Sequence, residues 1–118
     1  MLIPVPLTIH KKRNRGYNQA EVMANELASV LPMALAVDCL IKIKETPSQV
    51  GLSLEQRQKN IQGVFLVKNP TRVAGQKIFL IDDVFTTGAT MQECAKTLKA
   101  AGAQSVWGIT LAREPLNQ

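Results

Sequence analysis

The stretch IFLIDDVFTTGAT (78–90) decides how the rest of the chain is read. Four apolar residues run straight into two adjacent aspartates, then two more apolar residues, then threonines around a glycine. Neighbouring carboxylates repel each other and resist burial, so Asp82 and Asp83 belong at the carboxyl end of a strand, where the chain leaves the core. Beyond them Met91, Cys94, Ala95, Leu98 and Ala101 recur at helical spacing, with Lys96 and Lys99 on the wet face. Thr90 with Glu93 makes a capping pair ahead of that helix, and Gly102 closes it. The loop between strand and helix therefore offers backbone N–H groups at a helix N-terminus, where an anion is favoured. Thr86, Thr87 and Thr90 add hydroxyl donors around Ala89, and Gly88 permits a positive φ or a close backbone approach. Carboxylates beside an anion cradle suit a ligand with a phosphate at one end and vicinal hydroxyls next to it, which describes a ribose phosphate. An isolated Asp-Asp pair would be read as a capping turn; the Thr-rich loop after an apolar strand outweighs that reading. Neither GxxxxGK[ST] nor GxGxxG occurs, so a P-loop nucleotidase and a dinucleotide site are not supported. Nothing supplies the wider pattern of a phospho-acceptor domain.

Working outward, LIPVP (2–6) reads as a short strand whose prolines lack ladder donors, so it pairs on one side only or kinks as it ends. A basic loop through Gly16 follows. Asn18 with Glu21 opens a helix whose apolar positions are Ala20, Met23, Ala24, Leu27, Val30 and Leu31, with Pro32 beyond its end. CLIKIK (39–44) alternates and reads as a strand with one exposed face. Ser53 with Gln56 is a capping-box pattern for a short helix ending near Gly63. Val64 to Val67 is a strand, 68–76 a turn, Lys77 to Ile81 the central strand, and SVWGITL (105–111) the last strand. Strands alternating with helices predict an α/β fold with a mainly parallel sheet flanked by helices, its ligand site at the carboxyl ends of the strands.

Composition bounds the answer without deciding it. A chain of 118 residues that is 46% apolar suits one domain (1–118) with its own core. No apolar run is long enough to cross a bilayer, and the start has its basic residues after the apolar ones, the reverse of a secretory signal. Cys39 and Cys94 form no CxxC pair, so neither a disulfide framework nor a zinc site is indicated, and a reducing cytoplasm is the default. Net charge is +5, and His10, Lys11, Lys12, Arg13 and Arg15 crowd together. That run is either a solvated loop or a contact for a polyanion, nucleic acid or a small phosphorylated ligand. Aromatics are too few and too scattered for a single-strand stacking platform. Trp107, inside a strand pattern, is expected in the core or an interface.

IFLIDDVFTTGAT resembles the phosphoribosyl-pyrophosphate motif of type I phosphoribosyltransferases. IPVPLTIHKKRNRGYNQAEVMANELA (3–28) and TPSQVGLSLEQRQKNIQGVF (46–65) resemble the competence-protein-F (ComF) branch of that superfamily. The resemblance implies that Asp82 and Asp83 hold the ribose hydroxyls, directly or through magnesium carried by the ligand. Thr86, Thr87, Gly88, Ala89 and Thr90 would wrap the 5′-phosphate. Pro6, Leu7 and Thr8 fall where relatives place a pyrophosphate loop, with Arg13 and Arg15 in its basic extension. Segment 45–59 matches a mobile loop, with Lys44 and Arg57 as candidate pyrophosphate contacts. The implied reaction transfers the phosphoribosyl group from phosphoribosyl pyrophosphate to a nitrogen nucleophile. The alternative is a non-catalytic accessory protein of DNA uptake or recombination with a DNA or helicase partner; a homodimer stays open in either case. Two departures stand out. Thr86 replaces the acidic residue that some purine-using relatives carry, and the chain opens directly on the first core strand. The upstream segment usual in this branch, and a complete acceptor hood, are therefore expected to be missing.

Overall fold

A computed structural model describes residues 1–46, 51–85 and 88–113. Its centre is a parallel sheet in which β4 (Lys77–Phe85) lies between β1 (Leu2–Pro4) and β5 (Ser105–Arg113). The strand expected at the centre is there because both of its faces are apolar, as a strand covered on both sides must be. Ile78 and Leu80 pack with Cys94 and Leu98 of helix α5 (Ala89–Ala100) on one face. Ile81, with Phe79 against it, packs with Met23 and Ala24 of helix α2 (Gln19–Val30) on the other. β1 divides the same way, Ile3 toward the α5 side and Leu2 toward the α2 side. As its prolines require, β1 has a full ladder only with β4, and across its other edge a single bridge from Leu2 to Leu35. No helix among the described residues is long and apolar enough to cross a membrane.

A smaller antiparallel pair, β2 (Leu40–Lys42) with β3 (Phe65–Val67), stands beside this sheet and shares its core through Leu40, Phe65 and Val67. Between its strands lies helix α3 (Leu54–Ile61), opened by the expected capping box. Ser53 Oγ accepts from Gln56 N at 3.2 Å, and Gln56 Oε1 accepts from Ser53 N at 3.0 Å. Asn18 caps α2 as read from the sequence, its Oδ1 accepting from Ala20 N at 3.1 Å and its Nδ2 donating to Val5 O at 3.0 Å.

Three expectations are corrected. Residues 9–15 are not a loop but helix α1 (Ile9–Arg15), which buries none of its residues. Its ends rather than a core face define it: Thr8 caps the start, Gly16 closes it at φ 83°, and Lys12, Arg13 and Arg15 suit the negative end of its dipole. The 68–76 turn contains one helical turn, α4 (Pro70–Val73), which starts on proline and buries Val73. Thr90 does not cap α5: Gly88 holds the N-cap position at φ 84° without a side-chain bond, and Glu93 Oε2 instead accepts from Gly63 N at 3.3 Å. Of the two places expected for Trp107, the core is excluded, since it lies on the edge strand β5 and is 64% exposed, which leaves the interface.

Candidate ligand site at the strand ends

Parallel register brings the carboxyl ends of β1 and β4 together. Val5 N donates to Ile81 O at 2.8 Å, so the turn at residues 6–8 lies beside the point where Asp82 emerges. On the opposite side Asp82 is level with Thr110 of β5. Gly88, Ala89 and Thr90 begin α5 three residues beyond the end of β4, with Gly88 and Ala89 buried. The positive φ of Gly88 is open to glycine and strained for other residues, which explains a glycine at this turn. Thr86 and Thr87 lie outside the described residues.

The two aspartates interact with each other. Asp82 Oδ1 accepts from Asp83 N at 2.9 Å. Burial first, then a hydrogen bond and charge repulsion from the Asp83 side chain, push the Asp82 carboxyl up to about 7, against the opposing pull of that backbone N–H. Near neutral pH the strand end is thus poised between a carboxylate that accepts two hydroxyl protons and a carboxyl that cannot accept them all. Beneath it, Cys94 is fully buried; burial and the charge of Asp82 raise its thiol well above the usual range, so it is a packing residue rather than a nucleophile. Among the described residues no group of three His, Cys, Asp or Glu side chains is placed to hold a metal ion.

The candidate pyrophosphate contacts are more scattered. Leu7 lines a cavity of about 600 Å³ between α1, the start of α2 and β2. Thr8 is buried; its oxygen accepts from Lys11 N at 3.2 Å and its hydroxyl donates to Glu45 Oε1. Arg13 and Arg15 are exposed on α1, and Lys44 is exposed beyond the end of β2. Arg57 is half-buried on α3, its Nε donating to Leu52 O at 3.2 Å. Within segment 45–59, residues 47–50 lie outside the described residues.

Two residues here were not singled out from the sequence. Lys42, not Lys44, is the half-buried lysine of CLIKIK, lining that cavity with Leu7, His10 and Lys68. Its Nζ donates to Thr46 Oγ1 at 3.2 Å and stands 5.9 Å from the centroid of the Phe65 ring. Burial, followed by the charge of Lys11, lowers its ammonium from the usual range, while Glu45 raises it. Alternation put both lysines on one face; the strand's end at Lys42 is what separates them. Glu45 is the second, and no motif marks it.

A family model of the phosphoribosyl transferase domain matches residues 17–116. The chain belongs to the phosphoribosyl transferase domain family. Among curated proteins, this phosphoribosyl transferase domain is similar to "Competence protein F" of Haemophilus influenzae, 34% identical over 114 residues, covering 94% of this chain and 50% of that protein. "Competence protein ComFC" of Bacillus subtilis is 32% identical over 121 residues (96% of this chain, 44% of that protein). "DNA utilization protein YhgH" of Escherichia coli K12 is 30% identical over 105 residues (89% and 45%). The phosphoribosyl transferase domain described here thus spans about half the length of the curated relatives it matches.

Proposed function

We propose that this chain binds phosphoribosyl pyrophosphate, or a related ribose phosphate, as its magnesium complex, and that the bound sugar is a donor for phosphoribosyl transfer. The observation that carries the reading is the pair of interacting aspartates at the carboxyl end of the central strand, directly ahead of a helix whose N-cap is a left-handed glycine with no side-chain cap bond. Asp82 and Asp83 accept from the ribose hydroxyls; Thr86, Thr87, Gly88, Ala89 and Thr90 surround the 5′-phosphate with N–H and hydroxyl donors. Two carboxylates suit a hydrated magnesium ion that arrives on the diphosphate, since magnesium keeps much of its water shell and needs few protein ligands. In the reaction a nitrogen nucleophile forms its bond to ribose C1 as the C1–O bond to pyrophosphate breaks, and the electron pair leaves on pyrophosphate. Cations facing that leaving group stabilise the developing charge, and Lys42, Arg13, Arg15, Lys44 and Arg57 are the candidates. Isothermal calorimetry with phosphoribosyl pyrophosphate and Mg²⁺ tests this. Wild type should bind, and Asp82→Asn/Asp83→Asn should bind about 100-fold more weakly or not at all, given two charge-assisted hydrogen bonds removed. Absent binding, or binding indifferent to the double change, would overturn it.

Helix α1 favours a second reading, a non-catalytic role in DNA uptake or recombination with a DNA or helicase partner. It is exposed along its whole length, carries five of the chain's basic side chains and no acid, and pairs only Lys12, with Glu21 at 2.8 Å, among the described residues. The names of the competence and DNA utilization relatives support that role. DNA affinity measured by fluorescence anisotropy should then fall steeply with salt. Neutralising Lys11, Lys12, Arg13 and Arg15 should flatten the slope by about one unit for each phosphate that the helix no longer neutralises. A slope unchanged by those substitutions speaks against it.

A further inference from the structure

We propose that Glu45 is an internal competitor for the pyrophosphate end of the ligand, its carboxylate holding the Thr8 hydroxyl that the incoming anion needs. The inference rests on the ribose-phosphate reading above and adds a residue that sets affinity for one end of that ligand. Thr8 has a single hydroxyl proton, and that proton is donated to Glu45 Oε1. The Thr8 oxygen is meanwhile an acceptor for Lys11 N, at 3.2 Å. While Glu45 stays in place, this hydroxyl has nothing left to donate, and at 6% exposure it has almost no access to water instead.

Lys42 lies close enough to feel the charge of the same carboxylate. Its half-buried ammonium reaches Thr46 Oγ1 and the Phe65 ring, feels the unfavourable charge of Lys11, and is stabilised by the charge of Glu45. A buried hydroxyl donor with a half-buried lysine near it is what a diphosphate would use. In this arrangement Glu45 already takes the proton of that hydroxyl. Its own position makes displacement easy. Glu45 is exposed, so it moves into water without burying a charge. The chain two residues before it is anchored, Ile43 N donating to Val64 O at 2.8 Å, so a side-chain rotation suffices and the fold is untouched.

Calorimetric titration of magnesium pyrophosphate, ribose 5-phosphate and magnesium phosphoribosyl pyrophosphate into wild type, Glu45→Gln and Glu45→Ala separates the possibilities, with far-UV circular dichroism confirming that both variants fold. Gln removes only the charge, and Ala also frees the Thr8 proton. Pyrophosphate and phosphoribosyl pyrophosphate should bind about tenfold tighter to Glu45→Ala, the size of one charge-assisted hydrogen bond, and Glu45→Gln should fall between it and wild type. Ribose 5-phosphate, which lacks the pyrophosphate end, should bind all three forms equally. Pyrophosphate affinity that is unchanged or weaker in both variants overturns the inference, weaker binding meaning that Glu45 helps to hold the ligand's metal. No detectable pyrophosphate binding to any form overturns it as well. Failure of ribose 5-phosphate to bind any form strikes the ribose-phosphate reading instead, and the pyrophosphate titration still decides the role of Glu45.

Discussion

Asp82→Asn is expected to make the folded chain more stable at pH 8 while weakening the proposed binding of a ribose phosphate. The Asp82 carboxyl is raised from the ordinary 3.8 to about 7, so between those values the folded chain keeps a proton that the unfolded chain has released. Folding takes up that proton, and stability therefore falls as pH rises from about 4 to about 7 and stays low above. Asparagine binds no proton, so the variant lacks this slope. Its side-chain oxygen still accepts from Asp83 N, which leaves the local backbone as it is. Three pH units would be worth roughly 4 kcal/mol in full burial. The group is only partly buried, and about 2 kcal/mol is the expected gain at pH 8, a rise of several degrees in Tm. At about pH 3, below both values, the side chain is largely neutral in folded and unfolded chains alike, and the two proteins should melt together. Thermal unfolding at the two pH values checks this; a variant no more stable than wild type at pH 8 would show that the strand end does not store this cost.

That cost is informative about function. A carboxyl kept against burial and against a neighbouring acid costs the fold stability when ionised, and such groups concentrate where a ligand uses them. Magnesium or sugar hydroxyls placed on the pair would relieve the repulsion, so ligand binding and pH act on the same two side chains. The aspartates at the strand end thereby connect sequence to function more directly than the basic run does, which a solvated surface explains equally well.

How much of this was legible in the sequence depends on what defines each element. Strands and helices with a core face were readable, because burial writes a period into the sequence: β4, α2 and α5 all announce themselves in apolar spacing. Helix α1 has no buried residue, so IHKKRNR carries no period to read; its only marks are Thr8 and Gly16 at its ends. Thr90 misled because a threonine three residues before a glutamate is a good cap pattern. The left-handed Gly88 starts the helix two residues earlier, and that conformation leaves no mark beyond the glycine itself. Lys42 and Lys44 are equivalent by alternation, and only the point where β2 stops distinguishes them. Glu45 was invisible because its partner, Thr8, is distant in sequence and meets it only once the chain beyond β1 and the chain beyond β2 come together in the fold.

The largest loss of stability should come from Leu80→Ala. Leu80 is 1% exposed in the central strand, flanked by β1 and β5 and packed in the cluster that holds Ile3, Cys94 and Leu98. Neighbours on three sides are backbone ladders and a helix, which cannot collapse into the gap, so the side chain's transfer free energy is lost and most of the cavity stays open. About 3–4 kcal/mol is expected, a large share of the roughly 5–15 kcal/mol that holds a domain together. Leu66→Ala is the control: the same residue type, also in a strand, but 48% exposed on β3, and expected to cost less than about 1 kcal/mol. Urea unfolding should show the midpoint falling sharply for Leu80→Ala and little for Leu66→Ala, with similar m values. Because Asp82 lies two residues further along the same strand, the Leu80 variant should also bind ribose 5-phosphate more weakly wherever it remains folded. Equal losses for the two leucines would mean that β4 is not the central strand of the core, and the placement of both aspartates would fall with it.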